Sequence, residues 1–322
     1  MSAIQRKIIQ IIDAQSTVEG GGFKVRRPFP TQYVDHIDPF LLLDEMGPAD
    51  YAPHKAVGAP SHPHRGFETV TYLMSGAMVH EDSIGTRAVI KNGGVQWMTA
   101  GSGVIHSELP TDDMLALGGR MHGFQLWVNL SADRKMIAPR YQGYEADELA
   151  QVKLANGGVV KIVAGEVLGV VGPVETTSPM TYAHAVMQPN ESIEWIPEAA
   201  HTALVHVFEG EVVVNGQRAV SGQMVVFDRS AGAVQISTSA MQAAHASSAT
   251  QAAPASPAAQ ASSATQAAHG SQASPSTQVA QLLILGGAPL NEPVVRYGPF
   301  VMNTRQEIVD AVNDYQNGVL VQ

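Results

Sequence analysis

Short apolar stretches, each bounded by Gly, Asn, Asp or Pro, recur at close intervals through the first half of this 322-residue chain. We predict β-strands at residues 67–74, 76–81, 86–90, 95–99, 104–109 and 121–129. Strands this short and this evenly spaced are typical of β-barrels and sandwiches. The first half of the chain is therefore predicted to be all-β.

A second series of predicted strands begins at residue 151, and the hairpin V-F-E-G-E-V-V-V-N-G at 207–216 is its clearest signal. Residues 131–150 lack sustained alternation and carry charge, which is typical of a linker with one short helix. A chain of this length with 45% hydrophobic residues can form two ordinary cores. We therefore predict two domains, at residues 1–135 and 136–322.

The two ends of the chain carry local signals of their own. Residues 4–12 are β-branched and apolar, and G-G-G at 20–22 predicts that they form a hairpin with residues 23–27. Thr304 and Glu307 have capping-box spacing and predict a helix that runs to about residue 317. The predicted apolar side of this helix holds Ile308, Val309, Val312 and Tyr315.

Residues 230–281 contain no charged side chain, and A-S-S-A-T-Q-A-A occurs there twice, at 246–253 and 261–268. Such a composition buries too little apolar area to offset the entropy lost on ordering. We predict that residues 238–280 are a low-complexity, disordered insert in the second domain.

Two pairs of side chains that can bind a metal ion lie in the first strand series. His62 and His64 occur in S-H-P-H-R-G-F-E at 61–68, and His106 and Glu108 occur in G-S-G-V-I-H-S-E-L-P at 101–110. A spacing of two places both members of a pair on the same face of a strand. Two such pairs on strands that meet inside a barrel predict a metal site.

The same segments resemble the pirin family, a group of bicupins within the cupin superfamily. The resemblance is carried by H-P-H-R-G-F-E-T-V-T-Y-L-M-S-G, D-S-I-G and W-M-T-A-G-S-G-V-I-H-S-E, and it covers about residues 5–230 and 282–318. It implies an all-β fold of two tandem cupin barrels (double-stranded β-helix or jelly-roll) with a short C-terminal helix.

The resemblance also implies the ligands of an iron ion, namely His62, His64, His106 and Glu108. The general cupin pattern instead favours Glu68 as the acidic ligand. We follow the pirin pattern and assign Glu68 to orienting a ligand imidazole.

The second barrel is predicted to lack a site. When the hairpin at 207–216 is aligned with its counterpart in the first barrel, Ile196, Glu198, Val234 and Ile236 stand where the first barrel has its ligands. One divalent ion per chain is expected, and the remaining histidines are left without a role.

Three imidazoles and one carboxylate leave two positions free on a six-coordinate ion, which favours substrate chemistry. Nitrogen and oxygen ligands without thiolate suit Fe(II), with manganese, nickel, cobalt or copper as alternatives. A closed structural zinc site is a further alternative.

The resemblance implies quercetin 2,3-dioxygenase activity, in which a flavonol-like aromatic substrate and O₂ react with release of carbon monoxide, and Glu108 takes the proton of the 3-hydroxyl group. The alternative that it also implies is a non-enzymatic metal or redox sensor that binds a transcription factor or a metabolic enzyme.

Composition limits the remaining partners. With 19 basic and 29 acidic residues the formal net charge is −10, so the chain is not expected to bind nucleic acid directly or to associate with an anionic membrane. The sequence shows neither a signal peptide nor a run of eighteen apolar residues, which predicts a cytoplasmic protein. The absence of Cys excludes disulfides and thiolate catalysis.

Overall fold

The computed structural model describes residues 4–19, 21–239 and 279–321, so the predicted insert at 238–280 lies outside the described residues except at its ends. The strands before residue 145 are β1 (Ile8–Asp13), β2 (Gln15–Glu19), β3 (Phe23–Phe29), β4 (Phe40–Tyr51), β5 (Ala59–His64), β6 (Phe67–Ser75), β7 (Met78–Asp82), β8 (Arg87–Ile90), β9 (Val95–Thr99), β10 (Val104–Pro110), β11 (Gly119–Asn129) and β12 (Arg140–Tyr144). The later strands are β13 (Ala150–Lys153), β14 (Val159–Ala164), β15 (Glu166–Val167), β16 (Val170–Val171), β17 (Met180–Met187), β18 (Ser192–Trp195), β19 (Thr202–Glu209), β20 (Glu211–Val214), β21 (Gln217–Val220), β22 (Gln223–Phe227), β23 (Val234–Ser237), β24 (Ala280–Gly287), β25 (Val295–Tyr297) and β26 (Phe300–Met302). The described residues form the helices α1 (Asp112–Leu117) and α2 (Arg305–Gln316) and a 3₁₀ turn at Ala132–Arg134.

Each half of the chain forms a barrel from two sheets. The first barrel combines a seven-stranded sheet in the order β12-β9-β6-β11-β4-β3-β2 with a four-stranded sheet in the order β5-β10-β7-β8. The second repeats this plan with a seven-stranded sheet, β1-β22-β19-β24-β17-β14-β13, and a four-stranded sheet, β18-β23-β20-β21. The predicted all-β fold of two tandem cupin barrels with a short C-terminal helix is confirmed.

Strand β6 has two buried faces that look in different directions. Val70 and Tyr72 pack in one buried cluster with Tyr182 and Leu204 of the second half. Thr71 lies on the other face, inside the first barrel, where its hydroxyl donates to the carboxylate of Glu108 on β10. Because side chains alternate along a strand, even-numbered residues of β6 face the second half of the chain and odd-numbered residues face the interior of the first barrel.

The interiors of the two barrels differ in chemistry. The second is filled by an apolar cluster that includes Trp195, Phe227, Val234 and Ile236. The first buries polar groups on its strands: Thr71, His80, Gln96, His106 and Glu108. Among the described residues, buried polar groups of this kind are therefore available for chemistry in the first barrel. In the second barrel, the apolar Val234 and Ile236 occupy the positions that correspond to His106 and Glu108.

The terminal segments of the chain each pack on the barrel of the other half. Strand β1 pairs with β22, so the predicted hairpin between residues 4–12 and 23–27 is wrong, and β2 forms the hairpin with β3 instead. Ile8 and Ile11 of β1 pack against the apolar cluster of the second barrel, which explains this choice of partner.

The C-terminal segment covers the first barrel beside the strand that ends at His64. The backbone N–H of Val301 donates to the carbonyl oxygen of Arg65 at 3.1 Å. Nearby, the buried Lys135 ammonium donates to the carbonyl oxygens of Gly66 (2.8 Å) and Val301 (3.0 Å) and to Asn129 Oδ1 (2.7 Å). These bonds join the first barrel to the last strands of the chain.

Helix α2 begins at the predicted capping box, in which the Thr304 side chain and Glu307 each accept from the backbone N–H of the other. The buried side of the helix differs from the prediction, because Ile308 and Ala311 are buried, whereas Val309 and Tyr315 are 49% and 41% exposed. No described helix combines the length and the apolar character that crossing a bilayer requires.

Candidate metal centre

Three histidines of the first barrel converge on one point. Strands β5 and β10 are antiparallel, and their register places His106 opposite His62 and Val104 opposite His64. One ring nitrogen from each of His62, His64 and His106 lies within 4.8 Å of the other two. Within the described ranges this is the one such group of three or more histidines and acids, so the two predicted strand pairs do supply a three-nitrogen cluster.

The ring nitrogens of this cluster are prepared to accept a metal ion. His62 Nδ1 lies 2.7 Å from the carbonyl oxygen of Pro60, to which it donates, so Nε2 keeps its lone pair. His64 Nδ1 and His106 Nε2 are buried without a hydrogen-bond partner. Because an unpartnered buried polar atom is costly, a ligand that bonds to these nitrogens would remove a penalty, and a divalent metal ion fits this donor set.

Burial also sets the charge state of the cluster. Desolvation, followed by the neighbouring His62, lowers the pKa of His64 to about 3. Desolvation and the nearby rings of His64, His62 and His80 hold the pKa of His106 well below its usual value. Both imidazoles are therefore neutral at pH 7, which is the state that binds metal ions.

Glu108 lies on the same strand as His106 but outside the three-nitrogen group. Its carboxylate is buried and accepts from Thr71 Oγ1 at 2.8 Å, from Gln125 Nε2 at 3.1 Å and from the Gln96 side-chain amide. These donors come from β6, β9 and β11, and they fix the orientation of the carboxylate inside the barrel. Its role as fourth ligand remains a prediction.

Glu68 faces away from the cluster, so its assignment to orienting a ligand imidazole is wrong. It shares the parity of Val70 and Tyr72, and its Oε1 accepts from the hydroxyls of Thr99 and Thr177, each at 2.7 Å. Thr177 belongs to the second half of the chain. Glu68 is therefore a buried group of the contact between the barrels, where burial raises the pKa of its carboxyl.

Two aromatic side chains of β11, Trp127 and Phe124, also lie in different surroundings. The Trp127 ring lies 5.4 Å from the His64 ring and packs on Phe67, so it lines the metal side of the barrel. The Phe124 ring instead contacts Phe208 at 4.8 Å, in the contact between the barrels. Of these two aromatic side chains, Trp127 therefore lies beside the three-nitrogen cluster, and Phe124 lies between the barrels.

Sequence reasoning missed two groups beside His106. His80 and Asp82 of β7 are buried, and His80 Nδ1 lies 3.4 Å from His106 Nδ1. Their i, i+2 spacing on a predicted strand is the signal that could have found them, because it matches the spacing of the two ligand pairs.

Comparison with known proteins adds independent evidence. A family model described as "Pirin" matches residues 22–128, and one described as "Pirin C-terminal cupin domain" matches residues 249–321. A candidate quercetin 2,3-dioxygenase of Pseudomonas aeruginosa is 36% identical over 98% of this chain and 98% of its own length. A pirin-like protein of Solanum lycopersicum is 36% identical over 97% of this chain and 92% of its own length.

A solved structure supports the same relationship. The crystal structure of a quercetin 2,3-dioxygenase from Acinetobacter baumannii superposes with a TM-score of 0.82 at 32% sequence identity, and the match covers 98% of each chain.

Proposed function

This chain belongs to the pirin family, and from that premise we propose that it is a metal-dependent dioxygenase, of the quercetin 2,3-dioxygenase type, that cleaves the heterocycle of a flavonol with O₂. The observation that carries the proposal is the cluster of three imidazoles, of which the buried His64 and His106 are neutral and each have one ring nitrogen without a partner. Similarity to an Acinetobacter baumannii protein described as a quercetin 2,3-dioxygenase supports the same reaction class.

We assign His62, His64 and His106 to holding the ion and Glu108 to a double role as fourth ligand and general base. Fe(II) is the proposed metal, because nitrogen and oxygen donors without thiolate suit it. When bound, the ion would supply Lewis acidity toward the 3-hydroxyl and 4-carbonyl oxygens of the flavonol.

The side chains around the cluster provide the rest of the site. Glu108 would take the proton of the 3-hydroxyl group, and the donors from Thr71, Gln96 and Gln125 would keep its carboxylate aimed. Trp127 would offer an aromatic face to a planar substrate beside His64. His62 is only partly buried, which makes its side of the cluster the route of entry.

The decisive experiment compares two Glu→Gln variants in the iron-loaded protein. Glu108→Gln should keep much of its iron, because the amide still offers an oxygen, but it should lose about a hundredfold to ten-thousandfold in flavonol turnover. Glu68→Gln is the matched control. Glu68 is as buried as Glu108, but it lies on the face of β6 that points away from the metal cluster, so this variant should keep both iron and turnover. Consumption of quercetin and O₂, with release of carbon monoxide, reports the reaction. Equal activity of Glu108→Gln and the parent would exclude Glu108 as the base.

One observation favours a second candidate function, a metal or redox sensor that binds a protein partner. Arg65 directly follows the ligand His64, and its guanidinium bonds Asp314 of the surface helix α2 at 2.7 Å. A shift of the ligand strand would therefore reach an exposed helix. A fully loaded protein that consumes no flavonol under O₂ would favour this function over the dioxygenase.

A further inference from the structure

We propose that His80 and Asp82 of β7 form a positioning pair that fixes the tautomer of His106 and so keeps its Nε2 free to bind a divalent metal ion. The inference rests on the metal site of the proposed function and is independent of the substrate. Neither residue is among the proposed ligands or the groups assigned to the reaction.

The register of two neighbouring strands brings the pair to the ligand. Strands β7 and β10 are antiparallel, with Asp82 opposite His106 and His80 opposite Glu108. The side chains of His80 and Asp82 are both fully buried. His80 Nε2 lies 2.9 Å from Asp82 Oδ2, and His80 Nδ1 lies 3.4 Å from His106 Nδ1. A continuous chain of hydrogen bonds therefore runs from Asp82 through His80 to His106.

The direction of this chain follows from its far end. Asp82 Oδ1 accepts from the backbone N–H groups of Ile84 (3.1 Å) and Thr86 (2.9 Å), which holds the carboxylate in one orientation. A carboxylate is an acceptor, so Asp82 Oδ2 requires the proton of His80 on Nε2. His80 Nδ1 then carries a lone pair and accepts from His106 Nδ1–H.

The consequence for His106 is that its Nε2 bears no proton. This is the same nitrogen that is buried without a partner. The Tyr141 ring lies 4.7 Å from the His80 ring at an angle of 32°, and this packing limits rotation of the His80 side chain. Groups that orient a ligand histidine in this way typically change metal affinity by about tenfold to a hundredfold.

The substitution Asp82→Asn tests the direction of the chain while keeping the shape of the side chain. The two backbone N–H groups require the amide oxygen to stay at the Oδ1 position, so the amide NH₂ faces His80 Nε2. His80 must then accept at Nε2 and donate from Nδ1, which forces His106 to carry its proton on Nε2. We expect Asp82→Asn to bind Co²⁺ and Zn²⁺ about tenfold to a hundredfold more weakly than the parent chain.

A second substitution separates this effect from the structural role of Asp82 in the turn at residues 82–86, where it accepts from two backbone N–H groups. His80→Asn places an amide oxygen near the position of Nδ1, where it can still accept from His106, so affinity should stay within a few-fold of the parent. In that background Asp82→Asn should cause no further loss of metal affinity, because the His80 imidazole that links Asp82 to His106 is gone. A purely structural role of Asp82 would instead weaken metal binding equally in both backgrounds, and that result would overturn the proposal.

The tautomer can also be read directly, without metal, from the ring ¹⁵N shifts of the ¹⁵N-histidine-labelled protein. We expect His106 to carry its proton on Nδ1 in the parent and on Nε2 in Asp82→Asn. Detection of the Nε2–H form in the parent would overturn the proposal. Failure of the parent to bind Co²⁺ or Zn²⁺ would overturn the metal site as well, whereas a lack of flavonol turnover alone would bear only on the reaction.

Discussion

Replacement of Glu45 by Gln should destabilise the protein at neutral pH and much less in acid. Glu45 is fully buried at the contact between the barrels, where it pairs with Arg26 and His122 at 2.7 and 2.9 Å and lies 3.9 Å from His206 of the second barrel. Burial alone would raise the pKa of the Glu45 carboxyl, but the hydrogen bonds from His122 and Arg26, together with the nearby His206, outweigh it and lower the pKa to about 2.

The size of the effect follows from that pKa. A carboxyl that titrates near 4.5 when unfolded and near 2 when folded contributes about 3 kcal/mol to the free energy of unfolding at pH 7. Because the folded pKa is depressed, the contribution is fully present above pH 4.5 and is lost as the pH falls toward 2. At pH 3 it should have fallen to about 1 kcal/mol.

Urea unfolding of the parent and of Glu45→Gln at pH 7 and pH 3 measures both values. Asp50→Asn is a suitable control, because Asp50 lies on the same strand but pairs with Arg120 in solvent, and its loss should cost at most about 0.5 kcal/mol. A difference between parent and Glu45→Gln that is equal at the two pH values would refute the assignment to an ionised Glu45. A difference below about 1 kcal/mol at pH 7 would refute the importance of the buried pairs.

Three further predictions concern metal content and stability. His106→Ala should lose bound iron, measured by elemental analysis, whereas His201→Ala should keep it, because only His106 belongs to the three-nitrogen cluster. Lys135→Met should lower the free energy of unfolding in urea by about 3 kcal/mol, since three buried acceptors lose their donor; a loss below 1 kcal/mol would contradict this. Deletion of residues 240–277, whose composition offers little to a core, should change the melting temperature by only a few degrees, as loop closure costs about 0.6 kcal/mol per doubling of length.

The local signals of the sequence were sufficient to find the histidine cluster. His62 and His64 share a strand face by spacing alone, and the glycine-bounded strands around them predicted the barrel in which they meet His106. The capping box of Thr304 and Glu307 was also readable, because it depends on four consecutive residues. Such features need no knowledge of distant parts of the chain.

Local sequence signals do not decide whether Glu68 or Glu108 points toward the histidine cluster. Both faces of β6 are buried, so the apolar pattern around Val70 and Tyr72 does not reveal which face looks into the first barrel. That face is decided by the second barrel, through contacts such as the one between Glu68 and Thr177. The partner of β1 was hidden for the same reason, since an isoleucine-rich strand suits any open sheet edge.

The exchange of terminal segments has a consequence for how the chain is made. Strand β24 lies between β19 and β17 in the middle of the second large sheet, yet it begins only at Ala280. Strands β25 and β26, which cover the first barrel, are synthesised later still. Although domains usually fold in order from the N-terminus, neither barrel here can be completed before residues 280–302 have been synthesised. We therefore expect a stable metal site to form only after residues 299–302 have been synthesised and have closed over the strand that carries His62 and His64.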